Sequence, residues 1–267
     1  MIRDITIGQY YPVNSVLHRL DPRVKLVSTM IYIVSLFVFD SALGYTVAGL
    51  FLAGSIILSK VPFKFMVKGL KPIVMILLIT LFFNLVFTPG EVLWSFWMIQ
   101  ITREGVELAA KMGIRLIFLI IGASIMTLTT TPNQLTDGLE RLLRPLNKIH
   151  VPVHDIAMMM SIALRFIPIL LEETDKIMKA QMARGADFET GGLIKKVKNM
   201  VPLLVPLFIS AFRRANDLAM AMEARCYHGG DGRTQMKPLH YKRRDYMAYM
   251  VAFAYLAISI TFKIFEI

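Results

Sequence analysis

The chain contains, from Leu116 to Thr136, the sequence LIFLIIGASIMTLTTTPNQLT, in which no Asp, Glu, Lys or Arg occurs. A helix needs about 20 predominantly apolar residues to cross the hydrocarbon core of a bilayer, so this run is long enough to span one. The composition agrees, because 55% of the 267 residues are hydrophobic and the mean hydropathy is +0.56. Such values are typical of multi-pass membrane proteins. The sequence therefore predicts an all-α integral membrane protein.

Four further uncharged runs lie along the chain. The first two, Leu26–Phe39 and Ser41–Ser59, are separated by Asp40 alone and are together too long for one span, so we predict a tight hairpin of two short spans. The other two, Pro72–Gly90 and Tyr246–Phe262, predict one span each, and the last is slightly short for an ordinary bilayer. We therefore expect about five transmembrane helices.

The positive charges determine the expected orientation of these spans. With the N-terminus inside, five spans place 26 of the 30 lysine and arginine residues on the cytoplasmic side, as the inside-positive rule requires. The C-terminus is then outside. Lys111 and Arg115 are exceptions near the outer end of the fourth span. They lie four residues apart, hence on one helix face, and we expect them to extend to the interface.

A long polar segment separates the fourth span from the fifth. We divide the chain accordingly into an N-terminal membrane region with four spans (1–130), a cytoplasmic or interfacial region of three helices (131–244) and a C-terminal transmembrane helix (245–267). Apolar periodicity and stop signals predict the three helices. They are Thr131–Arg144, Pro152–Arg184 with a bend at Pro168, and Pro202–Arg225 or slightly beyond, stopped by Gly229 and Gly230, with GGLIKKVKNM (Gly191–Met200) as a basic connector.

Two apolar stretches inside this middle region, Ile156–Leu171 and Val201–Phe212, are not predicted to be spans. Arg165 interrupts the first, and Pro202 and Pro206 stand at the start of the second, which is only twelve residues long. Inserting both would also carry several lysines to the outside, against the charge rule. We expect these stretches to lie on or under the bilayer.

The sequence disfavours enzymatic sites. The dipeptide Gly-Lys never occurs and no His is followed by Glu, which removes the phosphate-binding loop and the zinc-protease pattern. The single cysteine, Cys226, excludes an internal disulfide and a multi-cysteine metal site. His150 and His154 have Pro152 between them, and Cys226 and His228 would not face each other on a helix. We predict no catalytic residue, metal or cofactor in this chain.

Two of the predicted helices end in the same dipeptide, Ala-Arg. One such arginine is ordinarily explained by the negative end of its own helix dipole. Two of them in one region favour a second role, because a guanidinium offers a planar fork to a carboxylate and the small neighbours keep the helix tip slim. We therefore predict two tips that insert into acidic grooves of a partner protein. Their residues are Ala183, Arg184 and Gly185 in the first, and Ala224, Arg225 and Cys226 in the second.

Three stretches of the chain resemble one protein family. They are GQYYPVNSVLHRLDPRVKL (Gly8–Leu26), ALRFIPILLEETDKIMKAQMARGADF (Ala163–Phe188) and LAMAMEARCYHGG (Leu218–Gly230). In order and spacing they are similar to EcfT, the transmembrane coupling component of energy-coupling factor (ECF) vitamin transporters. One position departs from that family, because Cys226 stands where a glycine is common.

The resemblance implies a mechanism and a set of partners. Two cytoplasmic ABC-type ATPase subunits, which bind ATP and Mg, would each receive one arginine tip. A separate vitamin-binding membrane subunit, the S-component, would sit on the apolar halves of the second and third helices. The chain itself would be a non-catalytic subunit that contacts the lipid bilayer and no nucleic acid. The implied platform for the S-component comprises Ile156, Met159, Ile162, Ala163, Leu204, Leu207 and Phe208.

Two other interpretations stay open from the sequence. One is a dedicated subunit of a cobalt- or nickel-type ECF importer. The other, less favoured, is an intramembrane enzyme that modifies a lipid, which would need clustered Asp or His residues at membrane depth. The transported vitamin does not follow from this chain, because specificity would reside in another subunit.

Overall fold

A computed structural model of the protein describes residues 10–39, 41–96, 99–186, 188, 192–230, 236 and 238–264. The chain divides into two compact units, and the division falls inside one helix after Gly138. The first, which we name the membrane unit, comprises Gly8–Gly138 and Leu239–Ile267, and the second, the tip unit, comprises Leu139–Pro238. The elements are α1 (Pro22–Ser35), α2 (Ala42–Ser59), α3 (Phe63–Lys68), α4 (Val74–Phe87), β1 (Val92–Phe96), β2 (Ile99–Thr102), α5 (Arg103–Thr129), α6 (Pro132–Leu143), a 3₁₀ helix (Arg144–Ile149), α7 (Val153–Ala183), α8 (Leu193–Glu223) and α9 (Arg243–Ile264).

The predicted hairpin between the first two spans is confirmed. Helix α2 begins after Ser41, whose hydroxyl accepts a hydrogen bond from the Gly44 N–H (3.2 Å), as a helix N-cap does. Gly44 lies directly against the Phe39 ring, so that a Cβ there would be 2.5 Å from a ring carbon. A glycine at this position therefore lets the turn close tightly between α1 and α2.

Hydrogen bonds between helix ends set the arrangement of the membrane unit. The Asp21 N–H donates to Asp245 Oδ1 (2.9 Å), which brings the starts of α1 and α9 together. Lys25 Nζ donates to the Thr129 carbonyl (2.7 Å), so the end of α5 lies at the same end of the bundle. Toward the other end, Arg115 Nη2 donates to the Phe39 carbonyl (3.5 Å) in the turn between α1 and α2. Helices α1 and α9 thus run in one direction and α5 in the other.

The core of the membrane unit is aromatic and aliphatic. Tyr255 of α9 stacks on Phe51 of α2 with ring centroids 4.4 Å apart, and its hydroxyl hydrogen-bonds to Ser35 Oγ of α1 (2.6 Å). The outer surface is also apolar, with Ile57 and Met75 more than 70% exposed. A buried aromatic core inside an apolar exterior is what a helix bundle in lipid requires, because water does not drive the packing there.

Four of the helices within the described ranges are long and apolar enough to cross a membrane: α2, α5, α7 and α9. Helices α2 and α9 coincide with predicted spans, and α5 contains the predicted fourth span only as far as Thr129, because Pro132–Thr136 belong to α6. The other two predicted spans form helices α1 and α4, each of 14 residues, which is short for a full span. Helix α7 differs from our expectation, because it is long enough to cross a membrane and its apolar stretch Ile156–Leu171 contains the single charge Arg165.

The predominantly helical membrane fold is confirmed, with one addition that the sequence did not indicate. Strands β1 and β2 form an antiparallel hairpin with Phe96 opposite Ile99 and a register irregularity between Val92 and Trp94. The hairpin lies between α4 and α5, and Thr102 Oγ1 donates to the Thr88 carbonyl (2.8 Å) at the end of α4. It therefore closes the connection between those two helices.

The helices between α5 and α9 follow the prediction closely at four of their boundaries. Helix α6 begins at Pro132 and ends at Leu143, and α7 runs from Val153 to Ala183. The predicted start of the third helix at Pro202 is wrong, since α8 begins at Leu193. Its first turns consist largely of good helix formers after Gly192, and both prolines lie inside the helix. The helix propensity of the residues before Pro202 therefore outweighs the tendency of a proline to mark the start of a helix.

Buried Asp245 joins the two helix starts of the membrane unit, and its removal is expected to destabilise that unit. It is 1% exposed, and Oδ2 accepts the Lys242 N–H (2.7 Å) while Oδ1 accepts the Asp21 N–H. Asp21 in turn binds Arg23. Burial by itself raises the pKa of the Asp21 carboxyl, but the hydrogen bonds from Arg23 outweigh burial and hold that pKa below its ordinary value.

We expect Asp245→Ala to lower the free energy of unfolding by about 1–4 kcal/mol, because the buried Asp21 N–H loses its acceptor at roughly 1–3 kcal/mol and the partly buried Lys242 N–H loses its acceptor at a smaller cost. Asp245→Asn retains one carbonyl acceptor and should lose about half as much. Thermal unfolding of the purified full-length protein in detergent measures both. Asp217→Ala, at an exposed acid of α8, is the control, and equal melting temperatures for all three variants would contradict the role of Asp245.

Candidate functional site

The first predicted tip is the C-terminal end of α7. Arg184 follows the last helical residue, and Gly185 adopts the left-handed backbone conformation with φ +87°. The Gly185 N–H donates to the Met182 carbonyl (3.0 Å) and the Ala186 N–H donates to the Gln181 carbonyl (3.0 Å). This pair of bonds is the Schellman motif, in which a left-handed residue turns the chain back over the last carbonyls of the helix.

The second tip, at the end of α8, is built in the same way. Cys226 adopts the left-handed conformation with φ 53°. Its N–H donates to the Glu223 carbonyl (2.8 Å), and the Tyr227 N–H donates to the Met222 carbonyl (3.1 Å). The expected stop at Gly229 and Gly230 is wrong, because the helix already ends at Glu223. Cys226 therefore does in α8 what Gly185 does in α7.

Backbone groups, not the arginine side chains, satisfy the helix ends. In each tip the arginine occupies the same position, one residue before the left-handed one, and both Arg184 and Arg225 are exposed. Neither guanidinium makes a hydrogen bond or ion pair with another residue in the described ranges. Because backbone N–H groups already donate to the last carbonyls of each helix, the arginine is not needed to cap its own helix. Each guanidinium is presented to the surroundings with its donors available.

Helices α7 and α8 pack antiparallel. Glu173 of α7 accepts hydrogen bonds from Ser210 Oγ (2.8 Å) and from Arg214 Nη2 (2.7 Å) of α8. From the Glu173–Arg214 contact an apolar groove extends toward the start of α7 and toward the end of α8. The two helices therefore run in opposite directions. Its lining includes Ile162, Phe166 and Leu170 on α7 and Leu218, Ala219 and Met222 on α8.

The antiparallel packing places the two tips at opposite ends of the helix pair. Arg184 comes eleven residues after Glu173, and Arg225 comes eleven residues after Arg214. Eleven residues correspond to about 16 Å along a helix and to close to three full turns. Each tip therefore lies at the same distance from the ion pair and projects from nearly the same face of its helix as the ion-pair residue.

The loop after the second tip is held against the start of α7. A Cβ on Gly230 would be 2.3 Å from the His154 ring, so the glycine backbone lies directly on the imidazole. His154 Nδ1 is 2.9 Å from Glu140 Oε1 of α6, which makes His154 a packing residue rather than one of a ligand pair with His150. His228 Nδ1 hydrogen-bonds to the Cys226 carbonyl (2.8 Å) and not to its thiol. Among the residues in view, no group of three or more His, Cys, Asp or Glu residues is placed to hold a metal.

The residues expected to carry the S-component do not form one patch. Those on α7 lie on the N-terminal side of Glu173, and those on α8 lie on the opposite side of the ion pair, because the helices are antiparallel. Ile162 lines the groove between the helices. The others present apolar surface to a varying degree: Ile156, Met159, Ala163, Leu204 and Phe208 are exposed, and Leu207 is half-buried.

Sequence reasoning missed the residues that join the two helices. Glu173 lies in the polar second half of α7 and Ser210 in the apolar stretch Val201–Phe212, and nothing in the chain indicates which acid meets which base 41 residues later. The equal spacing from Glu173 to Arg184 and from Arg214 to Arg225 is visible in the sequence. It has a structural meaning only once Glu173 is known to pair with Arg214.

Proteins similar to this chain belong to one family of transport proteins. A family profile described as "CbiQ: Cobalt transport protein" matches residues 13–236. A Clostridium kluyveri protein named "Energy-coupling factor transporter transmembrane protein EcfT" is 57% identical over 266 residues, covering 99% of this chain and 98% of that protein. The proteins of the same name from Acidaminococcus fermentans and Bacillus subtilis are 53% and 47% identical over 95% and 92% of this chain, and over 95% and 93% of their own lengths.

The apolar helix bundle, the cationic helix tips and these relatives together define a membrane-integral component of a transporter. Within that class the assignment is specific, because the matches extend over nearly the whole chain. The chain belongs to the CbiQ/EcfT family, the transmembrane components of energy-coupling factor transporters.

The left-handed residues at the two tips allow a matched pair of substitutions. Gly185→Ala adds a Cβ into open space, so its cost comes from the φ angle alone, about 1–2 kcal/mol. Cys226→Gly should regain roughly the same amount. We expect hydrogen exchange of the Ala186 amide to accelerate about 5- to 30-fold in the first variant, and exchange of the Tyr227 amide to slow in the second.

Exchange measured by mass spectrometry on the full-length protein tests this pair. Gly54→Ala, also in open space but inside helix α2, is the control and should leave both tips unchanged. Unaltered exchange at residues 185–186 in Gly185→Ala would show that the left-handed turn does not hold the first tip.

Proposed function

We propose that this chain couples two cytoplasmic ABC-type ATPase subunits to a substrate-binding membrane subunit, the S-component, of an ECF vitamin importer. The observation that carries the proposal is the pair of equivalent tips. Two exposed arginines stand one residue before a left-handed turn, at equal distances from one ion pair and at opposite ends of an antiparallel helix pair. An antiparallel pair with equivalent ends has approximate two-fold symmetry, which suits a pair of similar partner subunits.

Each tip is proposed to enter an acidic groove on one ATPase subunit. The guanidinium of Arg184 or Arg225 would bind a carboxylate there in a bidentate manner. Small side chains beside the arginine keep each tip narrow. They are Ala183 and Gly185 in one tip and Ala224 and Cys226 in the other. ATP and Mg would be held by the ATPases, and this chain would bind neither nucleotide nor vitamin. When ATP brings the ATPases together, the packed helix pair would carry their displacement to the S-component.

The apolar residues of α7 and α8 are proposed as the contact for the S-component. Exposed apolar surface of this extent marks contact with lipid or with another protein. The two halves of the platform lie on opposite sides of the Glu173–Arg214 ion pair, so a change in the angle between the helices would move both halves. This gives the ATPases a route to reorient a carrier that rests on them.

A second proposal differs from the first in the class of substrate that the importer carries. The family profile carries the description of a cobalt transport protein, which favours a dedicated subunit of a cobalt or nickel importer. The relatives with about half of their residues identical are named EcfT, which favours the vitamin class and a subunit shared by several S-components. An intramembrane lipid-modifying enzyme loses support, because those relatives are named as transporter components. The proteins that co-purify from the native membrane would decide among the three.

We propose that the N-terminus and residues 131–244 are cytoplasmic and that the C-terminus is outside. The asymmetry of lysine and arginine supports this orientation. The bonded starts of α1 and α9 agree with it, because two helices that begin on the same side and run in the same direction must both end on the other side.

Arg184→Ala and Arg225→Ala are expected to leave membrane insertion intact and to weaken ATPase binding. Loss of one partner of a desolvated charge pair costs about 2–5 kcal/mol, so each variant should bind at least about 30-fold more weakly. Co-purification of the ATPases and uptake of labelled vitamin measure the effect. Arg213→Ala removes the same charge from the middle of α8 and should bind normally. Unchanged assembly and uptake in the double variant would overturn the proposed coupling.

The orientation predicts which positions an impermeant thiol reagent reaches in intact cells. In a Cys226→Ser background, Glu91→Cys, in the connection between α4 and α5, should be labelled from outside. Gly192→Cys, at the start of α8, should react only after the cells are opened. Because α7 is long enough to cross a membrane, labelling of position 192 from outside would mean that α7 is a span, and the cytoplasmic placement of the first tip would be wrong.

A further inference from the structure

A cavity of about 270 Å³ lies in the membrane unit among helices α1, α2, α5 and α9. Its lining is almost wholly apolar and includes Tyr32 of α1, Phe51 of α2 and Val251 of α9. The cavity belongs to a part of the molecule that the two arginine tips do not involve. Its chemistry therefore raises a separate question of what it binds.

Two basic side chains, Lys25 and Arg244, stand at one end of this cavity. Lys25 is 5% exposed, and its Nζ donates to the carbonyls of Thr129 (2.7 Å) and His18 (3.3 Å). Arg244 Nε is buried and has no hydrogen-bond partner among the residues described. A buried donor without an acceptor is unfavourable, so an acceptor from outside the chain would stabilise this end of the cavity.

Nearby carboxylates do not supply that acceptor. Asp21 accepts hydrogen bonds from Arg23, and Asp245 accepts the backbone N–H groups of Asp21 and Lys242. Both acids act on Lys25 through their charge, and neither is hydrogen-bonded to Arg244. The end of the cavity thus keeps cationic donors in an otherwise apolar wall.

The cavity has the dimensions of a lipid chain below its headgroup. Lys25 and Arg244 lie in the first turns of α1 and α9, which are joined at their starts by the bond from Asp21 to Asp245. Tyr32 and Val251 are each seven residues farther along, about 10 Å deeper. One leaflet of a bilayer contributes roughly 15 Å of hydrocarbon. The apolar part of the cavity therefore matches about two thirds of the depth of a leaflet.

We propose that this cavity binds one acyl chain of an anionic glycerophospholipid, whose phosphate accepts hydrogen bonds from Arg244 and Lys25. Free phosphate would leave the apolar walls without a partner, and a zwitterionic lipid would place its headgroup cation close to the charges of Lys25 and Arg244. Basic pockets at the ends of transmembrane helices bind anionic headgroups in this way. The proposal does not depend on the role of the arginine tips, since it rests on a different unit of the chain.

Native mass spectrometry of the delipidated full-length protein, with added phosphatidylglycerol or phosphatidylcholine, tests the site. We expect one phosphatidylglycerol per chain to remain bound and phosphatidylcholine to bind more weakly. Arg244→Gln should weaken phosphatidylglycerol about five- to tenfold. The matched control is Arg243→Gln, which removes the same charge from an exposed residue that does not line the cavity.

Ala248→Phe provides an independent test, because Ala248 lines the cavity and the substitution fills it while keeping both cations. This variant should lose the bound lipid and elute as the same species in size-exclusion chromatography. Equal retention of the two lipids, equal weakening by Arg243→Gln and Arg244→Gln, or undiminished binding by Ala248→Phe would each overturn the proposal.

Discussion

The hydrogen-bonded ion pair between Glu173 and Arg214 determines how the two long helices of the tip unit meet. Its side chains are 25% and 39% exposed, and solvent screening leaves such ion pairs with little net contribution to stability. The pair therefore specifies the register of α7 on α8 more than it stabilises the packing. Ala211, Ala215 and Ala219 recur every four residues on the α8 side of the groove, and small side chains on one face allow two helices to approach closely. The ion pair sets the register of the two helices, and the apolar groove provides their close contact. Together they place the two arginine tips at opposite ends of the helix pair.

The tips show how one backbone geometry arises from two different residues. Glycine enters the left-handed region without steric cost, whereas a residue with a Cβ pays roughly 1–2 kcal/mol. Cys226 nevertheless ends α8 with the hydrogen bonds that Gly185 makes at the end of α7. The chain following Cys226 is fixed by packing, since Gly230 lies against His154 and His154 binds Glu140. Tertiary contacts thus compensate at the second tip for a conformation that glycine adopts freely at the first.

Local signals in the sequence predicted those parts of the fold that local interactions determine. The start of α6 at Pro132 and the end of α7 before Gly185 depend on a proline or a glycine within a few residues, and these boundaries were predicted correctly. The end of α8 was predicted within two residues, but the residue that stops the helix was missed, because two glycines at 229 and 230 are a stronger stop signal than a cysteine at 226. The hairpin of β1 and β2 and the pairing of Glu173 with Arg214 were missed for another reason. They depend on which segments meet in three dimensions, and periodicity carries no information about that.

The construction of the tips also explains why their arginines can serve a partner. A guanidinium that capped its own helix would gain about 0.3–1 kcal/mol from the dipole, and it would have to give up that contact on binding another protein. In both tips the last carbonyls are satisfied by backbone N–H groups, so binding a carboxylate requires no such exchange. The chain thus bears a small conformational cost once, at residue 226, during folding. Because that cost falls on folding, the free energy of a new ion pair at Arg225 would be fully available for binding the proposed partner.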